Sequence, residues 1–278
     1  MNRNFFINDP DAFTVSKQVL DEHPNPAALT RNEAQVSIAL AALSGGMYQI
    51  GDDLPTLGAD ADRVALVENA DLLQIAKLGR AAVPVDLLSY RAEDQQPSVL
   101  LLNEDKRQAM LAVFNWTDQP RAHSFTLSEL KFSAGHPFEL YDVLNGNQRV
   151  TLNGETLQID EQPGRSVKLI KIIDGSIPAA APSITLNSPA RAKIGETIGF
   201  SASAAGDGVP ATEYIWDFGD GITTRGSRVA HAYTREGSYE VHVRAEGVDG
   251  VAAEKSASLA VSGETQMAPP RRYENGNN

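Results

Sequence analysis

The chain has 278 residues, with 24 Lys and Arg against 36 Asp and Glu and a formal net charge of −12. So acidic a chain, whose longest basic cluster is the pair Arg271 and Arg272, is not built to bind phosphate backbones, and no nucleic-acid partner is expected. At 42% hydrophobic and 22% charged residues the composition is globular and long enough for about two domains, while the lack of cysteine excludes disulfides, thiolate metal sites and a cysteine nucleophile.

In chain order, residues 4–7 form a short apolar run that reads as a buried strand, followed by the acidic loop Asn8-Asp9-Pro10-Asp11. Thr30 and Glu33 stand three apart as a capping box, residues 34–43 are rich in Ala, Leu and Ile, and Gly45-Gly46 supplies the stop of a helix. A second strand over 47–50 opens into Gly51-Asp52-Asp53-Leu54 and so repeats the plan of apolar strand and acidic loop. Asp60 or Asp62 can cap a helix through Val67, and Asn69 another that ends at Gly79, giving a β-α-β-α run that implies parallel strands. After Pro84 the pattern changes to period-two runs at 99–102, 108–116, 122–127, 138–143, 155–159 and 166–173, with tight-turn signals at Asn145-Gly146 and Asn153-Gly154. The division expected is 1–90 β/α, 91–175 a β-sandwich, 176–181 a Pro- and Ala-rich linker, 182–262 a second all-β unit and 263–278 a disordered polar tail. No apolar run approaches the roughly 20 residues that span a bilayer, and Phe5-Phe6-Ile7 is too short for the apolar core of a signal peptide. No membrane partner and no export signal are therefore expected within the chain.

The second all-β unit holds Tyr214-Ile215-Trp216-Asp217-Phe218-Gly219-Asp220-Gly221, then His231-Ala232-Tyr233 and Gly237-Ser238-Tyr239-Glu240-Val241-His242-Val243. Alternation puts Tyr214, Trp216 and Phe218 on one face of a strand and leaves Gly219-Asp220-Gly221 to make the turn. These residues resemble the PKD domain, an immunoglobulin-like sandwich common in extracellular bacterial proteins, whose role is spacing or weak binding to polysaccharide or protein surfaces. Two sharper readings compete with a plain structural one. Asp217 and Asp220, with Asp207 or Asp249, have the oxygen chemistry of a Ca²⁺ site, although turn aspartates more often bond nearby amides. Trp216 has the chemistry of a sugar-stacking platform, although a mid-strand place among alternating aromatics favours the core.

In a (β/α)₈ barrel the loops after the strands form the active face, and opposed carboxylates there do glycoside chemistry, one protonating the leaving oxygen while the other attacks or activates water. In the plainer reading Asp9 and Asp11 cap a turn, and Asp52 and Asp53 bond loop amides. The strings N-D-P-D (8–11), T-R-N-E-A-Q-V-S-I-A-L-A-A-L-S-G-G (30–46), I-G-D-D-L-P-T-L (50–57) and P-V-D-L (84–87) look like the end of an alpha-galactosidase barrel of the melibiase type. The resemblance makes the opening strands the seventh and eighth of the barrel and places an accessory β-sandwich after them. It puts both catalytic aspartates on strands absent from this chain, so no catalytic residue is expected here, and it marks Asp9 and Asp11 as contacts to substrate hydroxyls. It implies no metal or organic cofactor and a carbohydrate partner, either a terminal α-galactoside or a polysaccharide. The nearness of Met1 to a buried strand adds the expectation of a truncated chain whose parent is secreted. The fold expected is thus multidomain and mainly β: a barrel remnant, a β-sandwich and an immunoglobulin-like PKD sandwich. With six barrel strands missing, the remnant is expected to be loose or self-associating, with Phe5, Phe6 and Ile7, and whichever of Val36, Ile38, Leu40 and Leu43 faced the lost neighbours, meeting water. The alternative reading, from a different class, is a non-catalytic carbohydrate-binding or adhesion protein.

Overall fold

The computed structural model describes residues 11–17, 29–204 and 208–263. The strand expected at 4–7, Asp9, Asp207 and the tail from 264 onward lie outside the described residues.

Within the described residues the N-terminal region runs β1 (Ala12–Phe13), α1 (Arg31–Leu43), β2 (Gln49–Ile50), α2 (Leu54–Gly58), α3 (Ala61–Val67) and α4 (Ala70–Leu78). The caps are those that the side chains dictate. Thr30 Oγ1 accepts from the Glu33 amide while Glu33 Oε2 accepts from the Thr30 amide at 2.9 Å, closing the capping box of α1. Asp60 caps α3 and Asn69 caps α4, which stops at Gly79 in the left-handed conformation. Helix α2 was not expected, and Asp53 caps it by accepting from the Thr56 amide at 3.0 Å.

A six-stranded antiparallel sheet follows, in the order β3 (Val83–Pro84), β4 (Val99–Asn103), β5 (Gln108–Asn115), β10 (Ser166–Asp174), β7 (Phe138–Asp142) and β8 (Gln148–Val150). A second sheet pairs β6 (Arg121–Thr126) with β9 (Thr156–Gln162). All eight positions of β5 are buried. A strand shows that pattern only when both of its faces are covered. Here Ala109, Leu111 and Val113 pack toward the β6–β9 sheet with Leu157, Ile159 and Leu130, while Met110, Ala112 and Phe114 pack under the helices with Ile38, Leu43, Leu72 and Ile75. The arrangement is three layers: helices, a two-faced sheet and a small sheet.

Among the described residues that layering corrects the expectation of a loose remnant at α1, while Phe5, Phe6 and Ile7 lie outside them. Helix α1 lies across β10 and α4, so Ile38 and Leu43 are buried in a core shared with Val167 and Leu169. Leu40, Met47 and Leu54 remain exposed. The apolar face of α1 is covered by the sandwich itself.

The last unit packs a three-stranded sheet, β11 (Ile184–Asn187), β13 (Ile198–Ala204) and β16 (Arg228–His231), on a five-stranded one of order β12 (Arg191–Lys193), β18 (Ala252–Ser262), β17 (Gly237–Gly247), β14 (Ala211–Asp217) and β15 (Thr223–Arg225). Its core, built on Phe200, Trp216, Phe218, Tyr233, Val241 and Leu259, is separate from the other two. The β17–β18 turn reaches back to the first sandwich. Asp249 Oδ1 accepts from Arg107 Nη1 and Gln108 Nε2, both at 2.8 Å, and Oδ2 accepts from the Ala180 amide at 3.1 Å. Arg107 Nε donates to the Ile177 carbonyl at 3.0 Å, so the segment expected as a linker is held at both ends. No helix among the described residues is long and apolar enough to cross a membrane.

Candidate functional site

Strands β1 and β2 are parallel, with Ala12 opposite Gln49 and Phe13 opposite Ile50. The loops that leave them are tied by one carboxylate: Asp52 Oδ2 accepts from the Val15 amide at 2.8 Å and Oδ1 from the Ser16 amide at 2.9 Å. Asp60 adds an ion pair to Lys17 at 2.8 Å, and Ser16, Lys17, Thr56, Asp60 and Asp62 line an open depression of about 540 Å³. The Thr56 bonds hold the Asp53 carboxyl below the usual carboxylate range, and the Lys17 bond does the same for Asp60. A proton-donating acid needs the opposite shift, so these two carboxylates organise the edge and are not tuned for proton donation.

Asp11 is exposed, has a left-handed backbone (φ 61°), and accepts from the Ala12 amide at 2.8 Å. It precedes β1 whereas Asp52 and Asp53 follow β2, so the parallel pairing places them at opposite ends of the two-stranded edge. The acidic-loop plan therefore brings Asp52 together with the loop after β1, and leaves Asp11 apart from it.

In the C-terminal unit Trp216 takes its plain reading, and the described aspartates bond within the protein. Trp216 is fully buried, its Nε1 donating to the Gly226 carbonyl at 2.8 Å, which excludes a surface platform. Asp217 accepts from the Gly219 amide at 2.9 Å. Asp220 accepts from the Ile222 amide and pairs with His231 Nε2 at 2.8 Å, and Asp249 is engaged by Arg107. No cluster of three or more potential metal ligands occurs among the described residues. Gly219 (φ 75°) is required at its turn, since a Cβ there would come within 2.8 Å of the Glu240 carbonyl oxygen. Tyr233 Oη closes the motif by donating to the Phe218 carbonyl at 2.9 Å.

Two groupings escaped sequence reasoning because their members are far apart in the chain. Ser176, His136 and Asp174 are in contact, but Asp174 Oδ2 lies 2.6 Å and Ser176 Oγ 3.2 Å from the same nitrogen, His136 Nδ1. A nucleophile relay needs the serine on the other ring nitrogen, so the trio is structural. The second grouping is a cleft of about 420 Å³ in the first sandwich, between β6 and the segment over 85–99. Its walls carry Tyr90, Arg91, Arg121, His123, Phe125 and Lys131. Arg121 Nη1 bonds both oxygens of the buried Asp94 at 2.7 and 2.9 Å. Asp86 accepts from the Ser98 amide and hydroxyl and from the Val99 amide.

Residues 179–262 match the family model described as the PKD domain, and that segment is a PKD domain. Among curated proteins, the chain is 30% identical over 83 residues to a microbial collagenase of Vibrio alginolyticus, covering 30% of this chain and 10% of that protein. It is 31% identical over 100 residues to collagenase ColQ1 of Bacillus cereus strain Q1, covering 35% and 10%. Among solved structures it is similar to alpha-galactosidase I from Mortierella vinacea, at 13% identity and TM-score 0.45, over 54% of this chain and 38% of that one. It is similar to the PKD1 domain of the Vibrio cholerae metalloprotease PrtV at 23% identity and TM-score 0.25, over 30% of this chain and 98% of that one, and to the PKD1 domain of Vibrio anguillarum Epp at 21% identity and TM-score 0.26, over 31% and 98%.

 The chain spans about a tenth of the length of the curated relatives it matches and just over a third of the alpha-galactosidase.

Proposed function

We propose that this chain is the C-terminal part of an extracellular glycoside hydrolase of the alpha-galactosidase type, carrying an accessory sandwich and a PKD module. The parent acts on terminal α-linked galactosides or related sugars by a retaining double displacement, and both catalytic carboxylates lie on barrel strands outside this chain. The observation that carries the reading is the parallel β1–β2 pair, whose outgoing loops are tied by Asp52 and which is followed by helices and then directly by a β-sandwich. The resemblance of residues 8–11, 30–46, 50–57 and 84–87 implies the same succession of strand, helix, strand, helices and sandwich, although it puts the first strand at 4–7, before the acidic loop, and β1 at Ala12–Phe13 follows that loop. Asp9 and Asp11 are proposed as contacts to sugar hydroxyls. An extracellular place is in keeping with a PKD segment like those of microbial collagenases. The likeness to collagenases is confined to short stretches, so peptidase chemistry forms no part of the proposal.

The purified chain is expected to leave nitrophenyl α-galactoside intact. Turnover that survives repurification and disappears in Asp11→Asn would overturn the reading and make that carboxylate catalytic. The second reading, a non-catalytic carbohydrate-binding or adhesion protein, is favoured by the sandwich cleft, whose walls are complete within this chain. The genomic frame upstream of Met1 separates the two: further strand-helix units with aspartates at strand ends support the hydrolase, and a nearby stop codon supports the binding protein.

A further inference from the structure

We propose that the cleft in the first sandwich is a binding site for a carboxylated saccharide, with Arg91 and Lys131 holding the carboxylate and Tyr90 offering a ring face to the sugar. The proposal does not rest on the barrel reading, since every residue it uses belongs to the cleft.

The argument is an inventory of which polar groups remain available. Three acids line the cleft, and each is taken up by the protein. Asp86 is taken by Ser98 and Val99, Asp94 by Arg121, and Glu129 by the amide and hydroxyl of Thr126 at 2.7 and 2.8 Å. Of the three cations, Arg121 is spent on Asp94, whereas Arg91 and Lys131 are exposed and have no ion pair among the described residues. What the walls offer is therefore a surplus of charged donors. A neutral sugar is commonly gripped by carboxylates that accept from its hydroxyls, and here each of those carboxylates already accepts from the protein, Glu129 through Oε2. A sugar that brings its own carboxylate matches the surplus, because it adds the attraction of opposite charges and, at a guanidinium, the two-pronged geometry that a neutral hydroxyl lacks.

Two further features fit. Tyr90 is 39% exposed at the mouth, and His123 stacks on Phe125 with centroids 6.0 Å apart, so the cleft has apolar ring surface beside its charges. His123 Nε2 is buried without a hydrogen-bond partner, and burial together with the charges of Arg121 and Arg91 lowers the ring's pKa. A bound carboxylate would offset those two charges.

The test is calorimetric titration of the full chain with an oligogalacturonate and with the neutral galactose oligosaccharide of the same length. The acidic ligand is expected to bind, to weaken as salt is raised, and to bind at least about tenfold tighter than the neutral one. The double variant Arg91→Gln with Lys131→Asn should lose about tenfold in affinity at an unchanged melting temperature, since both side chains are exposed and Asn tolerates the left-handed backbone of residue 131. The His123 imidazole signals should shift on binding. Equal affinity for the two ligands, full affinity in the folded double variant, or no binding at millimolar ligand would each overturn the proposal.

Discussion

Glu104 stands where the helices, the first sandwich and the PKD domain meet. Its Oε2 accepts from Gln74 Nε2 at 2.6 Å, and that nitrogen also reaches the Val248 carbonyl at 3.3 Å, while its Oε1 is buried without a partner. Burial raises the carboxyl above its usual range, opposed by Lys171 and the Gln74 bond. With the folded pKa above the unfolded one, the native state binds the proton more tightly, so this group's contribution to stability falls as pH rises through the folded value. Glu104→Gln keeps an acceptor for Gln74 and removes the charge. Thermal melts should therefore show the variant gaining on the wild type at neutral pH, with the gap closing toward acid pH. A gap that widens on acidification would contradict this account. Glu104 was not legible in the sequence, because its environment comes from residues as distant as Val248. Trp216 was legible, since a mid-strand aromatic in an alternating run declares its face locally, and so was the Thr30 and Glu33 box, whose partners are three residues apart.

At the scale of elements, local patterns placed α1, α4 and six strands of the first sandwich, and missed β3 and β8. Both are short edge strands, one containing Pro84 and the other Gln148 and Arg149, so neither carries the apolar alternation that marks a strand. What periodicity left open was the partner of α1. The run 34–43 is apolar around most of its circumference, and the sheet that covers much of it begins dozens of residues later. A helix that shares a core with a sheet should unfold with it. Thr30→Ala removes the cap and is expected to cost about 1 kcal/mol, read as a shift in the urea midpoint. Amide exchange should show α1 and β10 opening together in both proteins. Exchange of α1 at a free energy far below that of β10 would show the helix to be an independent appendage.

At the scale of the molecule, the PKD domain is fastened to its neighbour. The Asp249 side chain is 1% exposed and holds Arg107, Gln108 and the backbone at Ala180, so the two sandwiches are joined by a charged plug as well as by the chain. Removing Asp249 leaves the Arg107 charge without its carboxylate and takes the acceptor from Gln108 and the Ala180 amide. Asp249→Ala should therefore release the domain. Small-angle scattering is expected to report a larger radius of gyration, and calorimetry a PKD transition separated from that of the first sandwich. An unchanged scattering profile would mean that other contacts fix the orientation. Nothing in the local sequence distinguishes Asp249 from any turn aspartate, since its ion-pair partner lies 142 residues away.

The two-faced sheet also bears on how such a protein is inherited. A unit that owns its core can be copied into an unrelated gene and still fold, and the PKD segment, with Trp216 and its neighbours enclosed, is such a unit. The first sandwich is not. Excised at residue 91 it would bare Met110, Ala112, Phe114, Val167 and Leu169 where α1 and α4 had lain, a greasy sheet face prone to self-association. Recombination can move the PKD domain freely, but the helices and the sandwich must travel as one piece.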